Sequence, residues 1–165
     1  MSKKIDSAAL IPLIGTLYPP PHDAPCLLRE RKALGDAAGL TQFGVNLLRL
    51  PPGAWSSQRH WHPAGDEFVF ILSGEAVLVT DAGEEVLRAG DAAGFKAGDP
   101  DGHCLQNRSD RDVTALEIGT RIANDGATYS DIDMRAAGGG TYTRKDGTAY
   151  PVTGHGRLSG RSALR

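Results

Sequence analysis

Residues 60–87 read HWHPAGDEFVFILSGEAVLVTDAGEEVL. Within this stretch, residues 67–72 are dense in phenylalanine, valine and isoleucine, which suit a pleated, half-buried surface. Ser73-Gly74 interrupts the run, residues 75–80 resume it, and Asp81-Ala82-Gly83 interrupts it again before residues 84–87. Apolar runs this short, each bounded by turn residues, predict antiparallel strands joined by tight turns.

The same texture extends in both directions. Residues 41–50 end at Pro51-Pro52-Gly53, and residues 56–62 form a second upstream strand. Downstream, strands are expected at 92–96 after Ala89-Gly90-Asp91, at 103–106 after a loop rich in Gly, Asp and Pro, and at 112–120 after the turn 107–110. No segment of 10–15 residues with helical periodicity interrupts residues 41–120. The fold class expected is therefore all-β, a small antiparallel sandwich or barrel.

The flanks read differently. Residues 1–40 form an N-terminal arm in which Pro19-Pro20-Pro21 and Pro25 favour extended geometry, with at most a short helix between Leu27 and Gly39. The mixed cluster Arg29-Glu30-Arg31-Lys32 reads as a solvated turn or helix end. Residues 121–165 form a C-terminal extension. In it, 138–140 are a glycine break, 142–151 form a terminal hairpin packed on the barrel, and 155–165 are a mildly basic disordered tail.

At 165 residues the chain suits one domain, and residues 41–120 are its barrel. The net charge of −2, with lysine and arginine scattered, offers no basic stripe for nucleic acid. No run of about 18 apolar residues exists to span a membrane. Lys3 and Lys4 precede only a weakly apolar run broken by Pro12, so no signal peptide is expected. Two cysteines, Cys26 and Cys104, are too few for a disulfide framework and suit a reduced, cytoplasmic protein, with Cys104 a small buried hydrophobe.

The candidate site is spelled by His60, His62, Glu67 and His103. On a strand His60 and His62 share one face, while Arg59 and Trp61 take the other. Glu67 opens the next strand and His103 opens a later one, so a small barrel can aim all four inward at one height. Imidazole nitrogens with one carboxylate make a mixed site for a divalent transition metal, with zinc, iron, manganese and nickel all acceptable to the donor set. Three buried histidines beside a carboxylate would otherwise be an expensive arrangement. By parity Gln58 joins the inward face, and Phe95 and Leu105 border the pocket or fill the core with Phe70. Asp66 and Glu117 are the nearest candidates for acid–base work, and Lys96, Arg59 and Arg88 for an anion.

At these residues the chain resembles the cupin superfamily. Gly53, His60, His62, Glu67 and Gly74 look like its first motif, and Gly90, Gly98, His103 and Asn107 like its second. The resemblance spans about residues 41–120. Three departures stand out. The spacer from Ala54 to Arg59 is one residue longer than usual, Lys96 stands where the second motif has proline, and the loop from Gly98 to His103 is longer, with its proline at Pro100. The resemblance implies a double-stranded β-helix of jelly-roll type, a bound metal and a turn-stabilising role for Asn107. Small bacterial single-domain cupins are similar in residues 41–44 and 55–62. It also implies a small-molecule ligand and a homodimer whose N-terminal arms cross to the neighbouring subunit. The reaction stays open. A metal-dependent enzyme of sugar or sugar-phosphate isomerase type, one of dioxygenase type, and a non-catalytic binder of a sugar or organic acid are the expectations.

Overall fold

The computed structural model describes residues 3–137 and 141–151. The glycine break at 138–140 and the tail at 155–165 lie outside the described residues. The described elements are β1 (Leu13–Ile14), β2 (Glu30–Ala33), α1 (Leu34–Ala37), β3 (Phe43–Leu50), β4 (His60–Trp61), β5 (Glu67–Ser73), β6 (Glu75–Thr80), β7 (Gly83–Arg88), β8 (Ala92–Phe95), β9 (Cys104–Gln106), β10 (Val113–Thr120), β11 (Ala127–Tyr129), β12 (Arg135–Ala137) and β13 (Thr141–Thr143). The fold is all-β, with a three-residue 3-10 turn at Ala24–Cys26 between β1 and β2 and with α1 a single helical turn. No helix among the described residues is long and apolar enough to cross a membrane.

Every strand pairing is antiparallel. One sheet runs β1-β2-β3-β10-β5-β8, a second β7-β6-β9, and a third β13-β12-β11-β4. The β3–β10 ladder pairs all eight residues of each strand without a slip. Its register follows from alternation, because Leu48 and Leu50 on β3 and Val113 and Ala115 on β10 all point inward and are fully buried. With Val69 and Ile71 of β5, Ala76 and Leu78 of β6, Leu87 and Leu105, they form the main core between the first two sheets.

Turn chemistry closes the strands. Gly74, between β5 and β6, has φ +79°, and a Cβ there would lie 2.5 Å from the Asp112 carbonyl oxygen. Only glycine accepts both conditions at that position. Asn107 is 1 % exposed. Its amide nitrogen donates to the Leu50 and Arg111 carbonyls at 2.7 and 2.6 Å, and its oxygen accepts from Ser109 N at 3.0 Å. It holds a turn, as the motif implied.

The flanks differ from the sequence reading in an instructive way. Arg29-Glu30-Arg31-Lys32 is neither a solvated turn nor a helix end, because residues 30–33 are strand β2, paired with β3. The helix expected between Leu27 and Gly39 shrinks to the one turn of α1. Charge conceals this strand, since Glu30 and Arg31 each have a specific partner across the sheet, while Lys32 donates to the Ser7 carbonyl at 2.9 Å. Arg49 meets Glu30 at 2.5 Å, and Arg31 grips Glu117 of β10 with two hydrogen bonds of 2.6 and 2.7 Å. Buried Arg29 gives its guanidinium to the Gly15 and Ser56 carbonyls.

The N-terminal arm and the C-terminal extension meet in a second core. Tyr18, Cys26, Ala127, Tyr129 and Met134 are buried there, with Tyr142 and Tyr150 packed against them. Tyr18 makes edge contacts with Tyr129 and Tyr142, both at 5.5 Å between ring centroids. In this chain the arm therefore lies against its own barrel. A bridge between Thr143 and Ala149 closes the terminal hairpin.

Candidate metal centre

Backbone pairing delivers the four site residues to one place. His60 and His103 form an isolated antiparallel bridge, with reciprocal N–H to carbonyl bonds of 3.2 and 2.9 Å. Directly opposed residues share a face, so the two rings lie 5.0 Å apart although 43 positions separate them. Glu67 sits opposite Phe95 in the β5–β8 ladder. The Phe95 ring stacks on His103, 3.4 Å between centroids and 3° between planes. Gly98, at φ +79°, donates its N–H to the His62 carbonyl at 2.8 Å and so holds the loop that follows β4.

The side chains converge on one carboxylate oxygen. His103 Nε2 donates to Glu67 Oε2 at 3.0 Å, while His60 Nε2 and His62 Nε2 each lie 3.7 Å from that oxygen. Ligand atoms of His60, His62 and Glu67 all fall within 4.8 Å of one another. Burial presses the His60 imidazole down to about 3, so it is neutral near pH 7. Burial alone would raise the Glu67 carboxyl, but the hydrogen bond from His103 together with the electrostatic pull of the three imidazoles outweighs it and holds the group below the usual carboxylate range.

The outer hydrogen bonds assign the tautomers. His60 Nδ1 faces the Gln58 carbonyl at 3.0 Å, an acceptor only, so Nδ1 carries the proton and Nε2 keeps its lone pair. His62 Nδ1 faces Asp125 Oδ2 at 3.2 Å, which places its proton on the same nitrogen. Two bare nitrogens and a carboxylate oxygen then face one another with no hydrogen between them. A divalent cation fits that donor set, which among the described residues only His103 already engages, through Glu67 Oε2. His60, His62 and Glu67 would hold the ion, and His103 reaches the same oxygen from the other side.

The cluster lies in the wall of a cavity of about 260 Å³, lined by Trp61, His62, Glu67, Leu78, Thr80 and Phe95 on the inner side and by Lys96, Asp99 and Asp101 nearer the surface. That volume is just below the roughly 300–1,000 Å³ of sites for drug-sized ligands, and suits a small metabolite.

Several residues sit elsewhere than parity predicted. Residues 56–59 are irregular and only His60–Trp61 is strand, so strict alternation does not run through the segment. Gln58 turns away from the cavity and donates to the His22 carbonyl at 2.7 Å. Trp61, expected to face outward, lines the cavity beside His62. Phe95 lines it as anticipated, Leu105 belongs to the main core, and Phe70 is only half-buried. Asp66 and Glu117 are structural: Asp66 accepts from Ala97 N at 2.8 Å, and Glu117 is held by Arg31.

Asp125, which orients His62, escaped the sequence reading. It lies in the β10–β11 loop, 63 positions from His62, and no spacing connects them. Gly65 makes room for it, since a Cβ there would lie 2.6 Å from Asp125 Oδ2.

Comparison with known proteins agrees with this architecture. The family model described as Cupin domain matches residues 46–119. A solved structure described as a sugar phosphate isomerase from a cupin superfamily, from Silicibacter pomeroyi, is 46% identical; the match covers 89% of this chain and 96% of that one, with a TM-score of 0.84. A protein of Acidithiobacillus ferrooxidans, proposed to be a sugar phosphate isomerase, is 30% identical over 70% of this chain and 74% of its own, with a TM-score of 0.65. A protein of Thermotoga maritima predicted to be an oxalate decarboxylase shares the fold at 21% identity, covering 71% of this chain and 97% of its own, with a TM-score of 0.59. No curated protein sequence matches the chain.

Proposed function

The chain belongs to the cupin superfamily, and on that premise we propose that it is a metal-dependent enzyme acting on a small polar metabolite, of sugar phosphate isomerase type. The observation that carries the reading is the convergence of His60 Nε2 and His62 Nε2 on Glu67 Oε2 beside a cavity of metabolite size. His60, His62 and Glu67 would hold the metal, with His103 joining them once its Nε2 releases the proton it donates to Glu67. A metal bound there supplies a Lewis acid for a carbonyl or an adjacent pair of hydroxyls.

The chain's own groups do the rest. Phe95, Leu78 and Trp61 offer apolar surface to the C–H faces of a sugar and exclude water behind it. Thr80, Asp99 and Asp101 line the same cavity and can bind hydroxyls. Asp99 and Asp101 are also its carboxylates outside the metal cluster, so proton transfer between neighbouring carbons falls to one of them. We place the protein in the cytoplasm, where buried free Cys26 and Cys104 stay reduced. Ile11, Ile14, Leu27 and Leu28 remain exposed along the arm, which supports a homodimer.

The test is elemental analysis of untagged protein beside the His103→Ala variant, followed by screening aldose and ketose phosphates for solvent-deuterium incorporation. About one equivalent of metal, lost in the variant, with exchange at the carbon next to a carbonyl, is expected. Metal and ligand binding without exchange or turnover would replace the enzyme with a binding protein. No metal in the wild type after incubation with metal salts would overturn the reading.

A further inference from the structure

The metal cluster forms part of the cavity wall, and a more exposed part of that wall carries a charge that the structure leaves unused. The sequence offers three cations as anion candidates, and the fold separates them. Arg59 is consumed by Asp81 and by a pair of hydrogen bonds to Asp131 at 2.7 and 2.9 Å. Arg88 faces Glu75 at 3.5 Å and does not line the cavity. Lys96 follows directly on β8, one residue after the Phe95 that stacks on His103, and its side chain lines the cavity. Among the described residues it is the only lysine or arginine there, and no ion pair or hydrogen bond engages its ammonium.

Each carboxylate beside Lys96 spends one oxygen on a backbone N–H and does not pair with the ammonium. Asp99 Oδ1 accepts from Asp101 N at 3.1 Å, and Asp101 Oδ1 accepts from Asp81 N at 2.6 Å. They hold the 99–101 loop to the β6–β7 turn, and neither lies within 4 Å of the Lys96 ammonium as an ion pair. A lysine left unpaired beside two carboxylates, in a cavity already built around a cation-binding cluster, is a free donor of three hydrogen bonds awaiting an oxyanion.

We propose that Lys96 is the anion anchor of this cavity, so that its ligand is a small polyol carrying one terminal oxyanion, with hydroxyl or carbonyl oxygens toward the histidine cluster and the anionic end at Lys96. Two chemistries share this description, a phosphate monoester and a carboxylate. The inference rests on the reading of the cavity as the metal-bearing substrate site, and it adds a specificity residue to it.

The test is isothermal titration of the full chain, loaded with manganese and also metal-free, against glycerol 3-phosphate, glycerate and glycerol. Wild type, Lys96→Met and Lys96→Arg are compared, and bound metal is measured in each. At least one of the two anions should bind wild type, weaken about tenfold in Lys96→Met, and recover in Lys96→Arg. Glycerol affinity and metal content should not change with the substitution. Which anion shows the loss identifies phosphate or carboxylate as the source. Equal anion affinity in wild type and Lys96→Met, or no anion binding to wild type at millimolar concentration, overturns the proposal. A Lys96-dependent anion effect that persists in protein that takes up no metal would uphold the anchor while refuting the metal-enzyme reading, so the two failures are distinguishable.

Discussion

Replacing Asp125 by alanine isolates the part of the metal centre that no motif encodes. Asp125 Oδ2 accepts from His62 Nδ1 at 3.2 Å and keeps Nε2 bare on the side facing Glu67. Without that acceptor the imidazole can rotate or carry its proton on Nε2, and the ligand must be reorganised before it binds. Loss of such an outer partner typically weakens metal affinity about 10- to 100-fold, or roughly 1.4–2.7 kcal/mol. The Asp125 side chain is 12% exposed, so water partly replaces it and the lower half of that range is expected. The metal-free protein should behave differently. Asp125 Oδ1 is buried without a partner, a cost that alanine removes, so metal-free thermal stability should hold or rise slightly. Asp125→Asn retains an acceptor and should fall between wild type and alanine. Metal dissociation constants by competition with a chromogenic chelator, alongside melting curves with and without metal, read both effects. Affinity within about threefold of wild type in Asp125→Ala would refute the orienting role. A large loss of metal-free stability would mean the residue serves the fold instead.

Two further outcomes follow from groups away from the site. Arg31→Met strands Glu117 in a half-buried position, the two side chains being 17% and 18% exposed; breaking buried pairs costs 3–5 kcal/mol, so about 3 kcal/mol is expected by urea unfolding, and a loss under about 1 kcal/mol would show that water supports Glu117 unaided. Burial pushes the Cys104 thiol up to about 11 from 9.0. Between these values the unfolded chain releases a proton that the folded chain keeps, so stability falls as pH rises, by at most about 1.4 kcal/mol per pH unit. Cys104→Ala should flatten that slope, and an unchanged slope in the variant would remove Cys104 as its source.

Local signals made the barrel legible. Short β-prone runs between Gly, Asp, Asn and Pro turns marked most of its strands, because alternation and turn chemistry act within a few residues. Strand β2 was hidden for the complementary reason. Glu30 and Arg31 are balanced by Arg49 and Glu117 on other strands and Lys32 reaches the Ser7 carbonyl, so the sequence of β2 carries no apolar alternation. In the run 56–62 strict alternation fails because only His60–Trp61 is strand, and Gln58 and Trp61 lie on the sides opposite to those that parity predicts.

The amino-acid sequence by itself determined an all-β chain with three histidines and a glutamate of metal-binding type, because residue chemistry and short-range periodicity are written along the chain. Only the tertiary structure decided how those donors are oriented and what shares their cavity. The His60–His103 bridge, the stack of Phe95 on His103, the bond from Asp125 to His62 and the separation of Lys96 from Arg59 and Arg88 all depend on strand pairing and loop packing, the bridge across 43 positions and the Asp125 bond across 63. Over such distances contact is set by the packing of the whole barrel, for which no local pattern of residues is a proxy.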